Sequence, residues 1–223
     1  MTVRQRHLGS PETVAAVALP VMSAGLVLGR DQQRSLVVIR LFRPQPTSVA
    51  LVGGAWAARL VTARALALGC RVVVSTANPA QWQGFGEQMT GRPDRVDVIG
   101  AEGPVPAPGT ATQPVLQVID AGPAGPQTRP ELGAWQSRLT VLPELTDAGA
   151  PAVADADLAI VQRLTEPEAR AAIRAMRLAP EAAGHLQMLH DDMFAVIGGG
   201  ADHYLWVSQT PTEQAYLGPP RRG

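Results

Sequence analysis

Apolar residues in this chain come in short runs separated by alanine-rich or polar stretches, and the two kinds of segment alternate. Residues 25–28 and 36–42 are strand-like, and the polar stretch 30–34 between them predicts a hairpin turn. Pro44 and Pro46 then break the chain. Residues 48–52 form a continuous apolar run, 55–68 an alanine-rich helix stopped by Gly69, and 71–75 a second strand of three valines. Such runs suit strands buried on both faces of a parallel sheet, joined by a right-handed crossover. A weaker helix is predicted over 79–89 and a short strand over 95–99. Two Pro/Gly-rich loops, 100–114 and 121–133, flank a strand over 115–119 that ends at Asp120. Strands follow over 139–142 and 158–162. Thr165-Glu166-Pro167-Glu168 has the cap residues that open a helix, running to 177. Another helix is expected from Pro180 to His190, then a hairpin of 193–197 and 204–207 around Gly198-Gly199-Gly200.

This alternation predicts an α/β fold: a mostly parallel sheet flanked by helices, with antiparallel hairpins at both ends. Residues 1–12 read as a loose tail, 13–22 as a helix closing over a sheet edge, 13–217 as one α/β domain and 218–223 as a tail. The apolar stretch 14–28 is too short to span a bilayer comfortably and holds Pro20, so no direct membrane span is expected.

Composition narrows the chemistry. Lys and Arg together number 19 and balance 19 acids, and every one of the 19 is arginine. With no lysine, a Schiff base, a lysine general base and the phosphate-binding lysine of a P-loop are excluded. Neutral charge gives no electrostatic footprint for nucleic acid. The single cysteine, Cys70, excludes an internal disulfide and a multi-cysteine zinc site; it predicts a cytoplasmic location and a buried small hydrophobe. His185, His190 and His203 with Asp191, Asp192 and Asp202 form the one metal-like cluster of the sequence. His185 and His190 stand about 140° apart around a helix, so no metal site is expected.

In open α/β sheets ligands sit at the carboxyl ends of strands, so the loop Gly53-Gly54-Ala55-Trp56-Ala57-Ala58-Arg59-Leu60 is the candidate site. Two phosphate-binding patterns apply. The dinucleotide pattern keeps its first glycine, Gly53, but has Ala55 and Ala58 at the other two positions; no acid follows Ser75-Thr76 to hold a ribose. The Walker A pattern fits in register. Gly53 takes the first glycine, Ala58 the second, Arg59 the lysine and Leu60 the hydroxyl residue that binds magnesium. Leucine cannot ligate a metal, and arginine is a poor stand-in for that lysine. Asp120, ending an apolar strand, has the shape of a Walker B aspartate, with Ala121 where many such motors carry glutamate. An acid before a turn is also an ordinary turn former.

Together these segments resemble the HerA/FtsK superfamily of RecA-like translocase ATPases, which includes motors of conjugation and type VII secretion. The resemblance spans roughly residues 25–217. It rests on Gly29-Arg30-Asp31 before the run 36–41, on the loop 53–60, and on the strand ending at Asp120. Arg138-Leu139-Thr140-Val141-Leu142-Pro143 is similar to the sensor strand, without its usual glutamine. Residues 158–165 are similar to the strand that follows, and Asp191-Asp192-Met193-Phe194 before Gly198 resembles the family's Gly-Asp-Met-Leu segment. Arg170 stands where the family often turns an arginine to a neighbouring subunit. Arg163 and Arg174 are grouped with it as interface arginines, with Arg177 expected on the same helix face as Arg170 and Arg174. The chain also resembles accessory proteins of actinobacterial type VII secretion clusters.

The resemblance implies a pseudo-ATPase without a cofactor: a protein-binding scaffold or regulatory subunit of a secretion or translocation ATPase. It implies subunit contacts, and peripheral attachment to the inner membrane through a partner. Against it stands a Rossmann-like enzyme that binds NAD or a nucleotide-sugar on Gly53 and Gly54. That reading requires space above Gly53, with Trp56 turned away. A RecA-like sheet is further expected to place the Asp120 strand beside the Gly53 strand.

Overall fold

A computed structural model describes residues 25–100, 106–126, 128 and 130–222. The expected tail 1–12 and helix 13–22 lie outside the described residues. The strands are β1 (Leu26–Arg30), β2 (Leu36–Ile39), β3 (Thr47–Val52), β4 (Arg71–Thr76) and β5 (Val96–Ile99), then β6 (Val115–Asp120), β7 (Gln136–Leu142), β8 (Leu158–Val161), β9 (Met193–Gly198) and β10 (His203–Trp206). The helices are α1 (Ala55–Ala67), α2 (Phe85–Thr90), α3 (Ala150–Ala154), α4 (Glu166–Met176), α5 (Ala182–Gln187) and α6 (Pro211–Leu217).

All ten strands join one sheet in the order β2-β1-β10-β9-β8-β3-β7-β6-β4-β5. The stretch from β8 to β5 is parallel, and the four strands β2, β1, β10 and β9 run antiparallel to their neighbours. This is the expected α/β architecture with hairpins at both chain ends. Alternation along β3 divides the core: Val49 and Leu51 join the layer containing α1, while Ala50 and Val52 join the layer containing α3, α4 and α5.

Helix α1 is apolar around most of its circumference because it lies buried, and its alanines allow close approach to the sheet. Gly69, at a φ of 86°, closes it as expected. The helix expected over 79–89 is interrupted instead. A short 3₁₀ turn at Pro79–Gln81 precedes α2, and Gly84 takes a left-handed conformation between them.

Strand β7 starts three residues earlier than its apolar run. Gln136, Ser137 and Arg138 are buried in it, because each finds partners there. Ser137 Oγ donates to the Leu41 carbonyl at 2.6 Å, Gln136 Nε2 to the Pro106 carbonyl at 3.0 Å, and Arg138 Nε to Gln117 Oε1 at 3.1 Å. One adjacency expectation is corrected. The Asp120 strand β6 does not pair with β3; β7 is inserted between them, bonded to β3 on one side and β6 on the other.

Candidate functional site

The loop leaves β3 with its backbone pinned on both sides. Gly53 N–H donates to the Leu142 carbonyl of β7 at 2.9 Å, and Gln162 N–H, just past β8, donates to the Val52 carbonyl at 2.9 Å. Gly54 is the N-cap of α1. Its N–H donates to Gln162 Oε1 at 2.9 Å, so a buried side chain from beyond β8 satisfies this amide at the start of α1.

Both glycines are required by close approach. A methyl group on Gly53 would press on Gln162 Oε1 at 2.6 Å. On Gly54 it would overlap the carbonyl of Arg222. The residues read as a C-terminal tail therefore lie directly over the loop. Gln162 Nε2 donates to the Arg221 carbonyl at 3.3 Å, so one glutamine side chain bridges loop and tail.

Trp56 is buried, packed against Phe194 of β9 with ring centroids 5.9 Å apart. It is turned away from the loop's outer face. Ala58 and Leu60 are buried in the same core, with Leu60 fully so. The position that would present a magnesium-binding hydroxyl thus points into the core and carries a methyl-ended side chain. The residues present do not fit a magnesium–nucleotide in the P-loop manner. Arg59 is partly buried, with its guanidinium carbon 5.1 Å from the centre of the Phe85 ring. Among the described residues, Arg59 Nε is one of two buried side-chain atoms without a hydrogen-bond partner; the other is Trp56 Nε1. Burial first, then the positive charge of Arg221, holds the Arg59 guanidinium below its ordinary pKa.

Asp120 ends β6 as expected, but its carboxylate is engaged locally. Oδ2 accepts from Thr76 Oγ1 at 3.1 Å and from Trp82 Nε1 at 3.3 Å. The three arginines read as interface residues are exposed and each meets an acid. Arg163 pairs with Asp191 at 3.1 Å, Arg170 with Glu166 one turn away at 3.6 Å, and Arg174 with Asp147 at 3.0 Å. Arg177 leaves the expected arginine stripe. It is the C-cap of α4, in a left-handed conformation with a φ of 54°.

Two residues carry the site's framework: Glu168, which the sequence marks only as a helix cap, and Arg64, which does not stand out in it. Glu168, the acid of the α4 cap, is buried and accepts from Thr165 N–H at 2.8 Å, Thr165 Oγ1 at 2.7 Å and Leu145 N–H at 3.0 Å. The Arg222 guanidinium also lies on it, with Nη1 at 3.0 Å from Oε2 and Nη2 against Oε1. Burial alone would raise its pKa. Arg222, the two Thr165 donors and Leu145 outweigh that and bring the carboxyl to about 2. Arg64 of α1 is the second. Its Nε and Nη2 grip Glu213 of α6 at 2.7 and 3.0 Å, while the Val27, Leu28 and Ser208 carbonyls accept its remaining donors. Thr210-Pro211-Thr212-Glu213 repeats the cap pattern of Thr165–Glu168, which is the signal that would have found α6.

His185, which faces Tyr204 edge-on at 5.8 Å, belongs to no metal cluster, and no group of three or more potential ligands occurs among the described residues. Cys70 is buried, and burial pushes its thiol pKa up. No helix among the described residues is long and apolar enough to cross a membrane.

No protein-family model matches the chain, and no curated protein does. Solved structures do. VirB4 of Thermoanaerobacter pseudethanolicus superposes with a TM-score of 0.58 at 10% identity, over 86% of this chain and 98% of that one. The genome packaging NTPase B204 from Sulfolobus turreted icosahedral virus 2, in complex with AMPPCP, gives a TM-score of 0.53 at 13% identity, over 73% of this chain and 98% of that one. The cytoplasmic domain of EssC gives 0.52 at 13% identity, over 89% of this chain and 45% of that one. The chain therefore has the α/β fold of P-loop ATPases, with β7 inserted between the glycine-loop strand and the Asp120 strand.

Proposed function

We propose that this chain is a non-catalytic scaffold or regulatory subunit associated with a secretion or translocation motor, built on a P-loop-like domain whose nucleotide site has decayed. One observation carries the reading. The loop keeps its place at the end of central β3, yet Leu60, at the magnesium position, is fully buried in the core. Codon preference can exchange lysine for arginine at 59; it does not remove the neighbouring hydroxyl. Asp120, engaged with Thr76 and Trp82, supports the same reading. The likeness to B204, a genome packaging NTPase, supports only the motor-type fold.

On this reading residues 13–217 are one α/β unit, and the protein works in the cytoplasm, held at the inner membrane by a partner. Arg163, Arg170 and Arg174 would meet an acidic surface of a neighbouring ATPase subunit, exchanging weak surface ion pairs for intermolecular ones. The kinship with actinobacterial type VII secretion accessory proteins belongs to this proposal.

The test is magnesium-dependent ATP hydrolysis by the purified chain. The expected rate is indistinguishable from the buffer control. Hydrolysis that disappears in Asp120→Ala would overturn the proposal. A second reading, a nucleotide- or nucleotide-sugar-binding enzyme, is favoured by Trp56 facing the core, but its other requirement, space above Gly53, is not met while the Arg222 backbone lies over Gly54. Turnover of NAD or a UDP-sugar, abolished by substitution of Gly53, would select it.

A further inference from the structure

Helix α6 packs against α1, and the chain leaves it at Gly218, whose carbonyl accepts from Gln209 Nε2 at 3.1 Å. Residues 218–222 then pass over the carboxyl end of the sheet toward the opposite helical layer. Three contacts fix the path. The Arg221 carbonyl meets Gln162, the Arg222 backbone covers Gly54, and the Arg222 side chain reaches α4. There Nη1 donates to the Arg163 carbonyl as well as to Glu168, and Nη2 donates to the Pro143 carbonyl at 3.2 Å as well as to Glu168. Two carboxylate oxygens and two backbone carbonyls around one planar fork make a pocket shaped for guanidinium. Pro219 and Pro220 fix two backbone angles and so lower the entropy cost of ordering the segment.

We propose that residues 218–222 are an autoinhibitory strap: they fill the approach to the Gly53–Gly54 loop that a phosphate-bearing ligand would need, and Arg222 in the Glu168 pocket is its latch.

The strap is poised for release. It brings Arg221 near enough to Arg59 for its positive charge to be felt there, and like charges at that spot oppose closure. The Arg59 Nε lacks an acceptor while the strap is down. Access to the loop is a separate matter from hydrolysis, so the proposal stands independently of the scaffold reading.

Arg222→Ala in the full chain tests the latch, with Arg222→Lys as a second variant that keeps the charge without the fork. Two readouts are taken on each protein: amide hydrogen exchange over residues 53–58, and affinity for tripolyphosphate and for ATP by titration calorimetry. Releasing a closed state raises apparent affinity by the inverse of the open fraction, so Arg222→Ala should bind at least about tenfold more tightly than the parent chain. Its exchange should rise over 53–58 before any ligand is added, with Arg222→Lys between the two. Equal affinities, including no binding by any of the three proteins, would overturn the strap. So would unchanged exchange in Arg222→Ala. ATP hydrolysis by any of them would overturn the scaffold reading and leave the strap standing.

Discussion

Replacing Glu168 by glutamine should destabilise the fold by about 2 to 3 kcal/mol at pH 7, and more than half of that gap should close by about pH 3. The magnitude follows from where the carboxylate sits. It is 6% exposed, and its oxygens accept from Thr165, Leu145 and Arg222. Burial raises its pKa, the hydrogen bonds from Arg222, Thr165 and Leu145 lower it by more, and the balance moves it from 4.5 to about 2. That displacement corresponds to roughly 3 kcal/mol in favour of the folded state when the group is ionised. Because the folded value is the depressed one, the unfolded chain takes up the proton first as pH falls. The contribution is complete above about pH 4.5 and is lost toward pH 2. Glutamine keeps the shape and one acceptor oxygen, so part of the α4 cap survives and the loss stays below that of a fully broken buried pair. Urea unfolding of both proteins at pH 7, 5, 4 and 3 measures the difference, and contributions from the carboxyls the two proteins share cancel in the subtraction. A gap between parent and variant that does not change with pH would refute the assignment of the charge to this carboxylate.

Cys70 should stay unmodified by a thiol reagent in the native protein and react once urea unfolds it, since burial excludes both reagent and thiolate. Arg174→Ala should shift the unfolding free energy by under about 0.5 kcal/mol, because its ion pair with Asp147 is exposed. If the arginine face docks on a motor subunit, the same variant should weaken that complex measurably in a binding assay.

The β3–α1–β4 unit was readable because its cues are local. Continuous apolar strands, an alanine-rich helix and Gly69 lie within thirty-odd residues and meet one another in the fold. Strand β7 was read three residues short because Gln136, Ser137 and Arg138 look like loop; their partners, Pro106, Leu41 and Gln117, lie far away in sequence and satisfy them only once the sheet forms. The strand–glycine–helix junction at Gly53 and Gly54 was legible, since α1 starts at Ala55, and the core placement of Leu60 follows from its type. The covering of that loop was not legible. Arg222 bonds to residues 54, 59 and 79 positions away, and no pattern in a six-residue stretch of Gly, Pro and Arg signals such contacts. The pairing of β6 with β7 and not β3 is equally nonlocal, since either order buries the same apolar run.

The absence of lysine has a structural side beyond the loop. Arg64, Arg138 and Arg222 each spread one guanidinium over several acceptors contributed by separate elements. Arg64 is the clearest case: it meets both Glu213 oxygens and the Val27, Leu28 and Ser208 carbonyls, tying α1 to β1 and α6. An ammonium has three donors against the guanidinium's five and no planar fork. Arg64→Lys preserves charge yet leaves at least two of those acceptors unmatched, in a site where the arginine side chain is only 12% exposed and the glutamate 10%. The Glu213 oxygens and the Leu28 carbonyl are part-buried, whereas water can reach the Val27 and Ser208 carbonyls, so the released acceptors cost about 1 kcal/mol in all. The variant should therefore lose about 1 kcal/mol in urea unfolding at pH 7, and Arg64→Met, which strands Glu213 without a counter-charge, about 3 kcal/mol or more. An unfolding midpoint for Arg64→Lys equal to that of the parent would mean that charge alone holds this junction, and that the all-arginine composition is an accident of codon usage here as well.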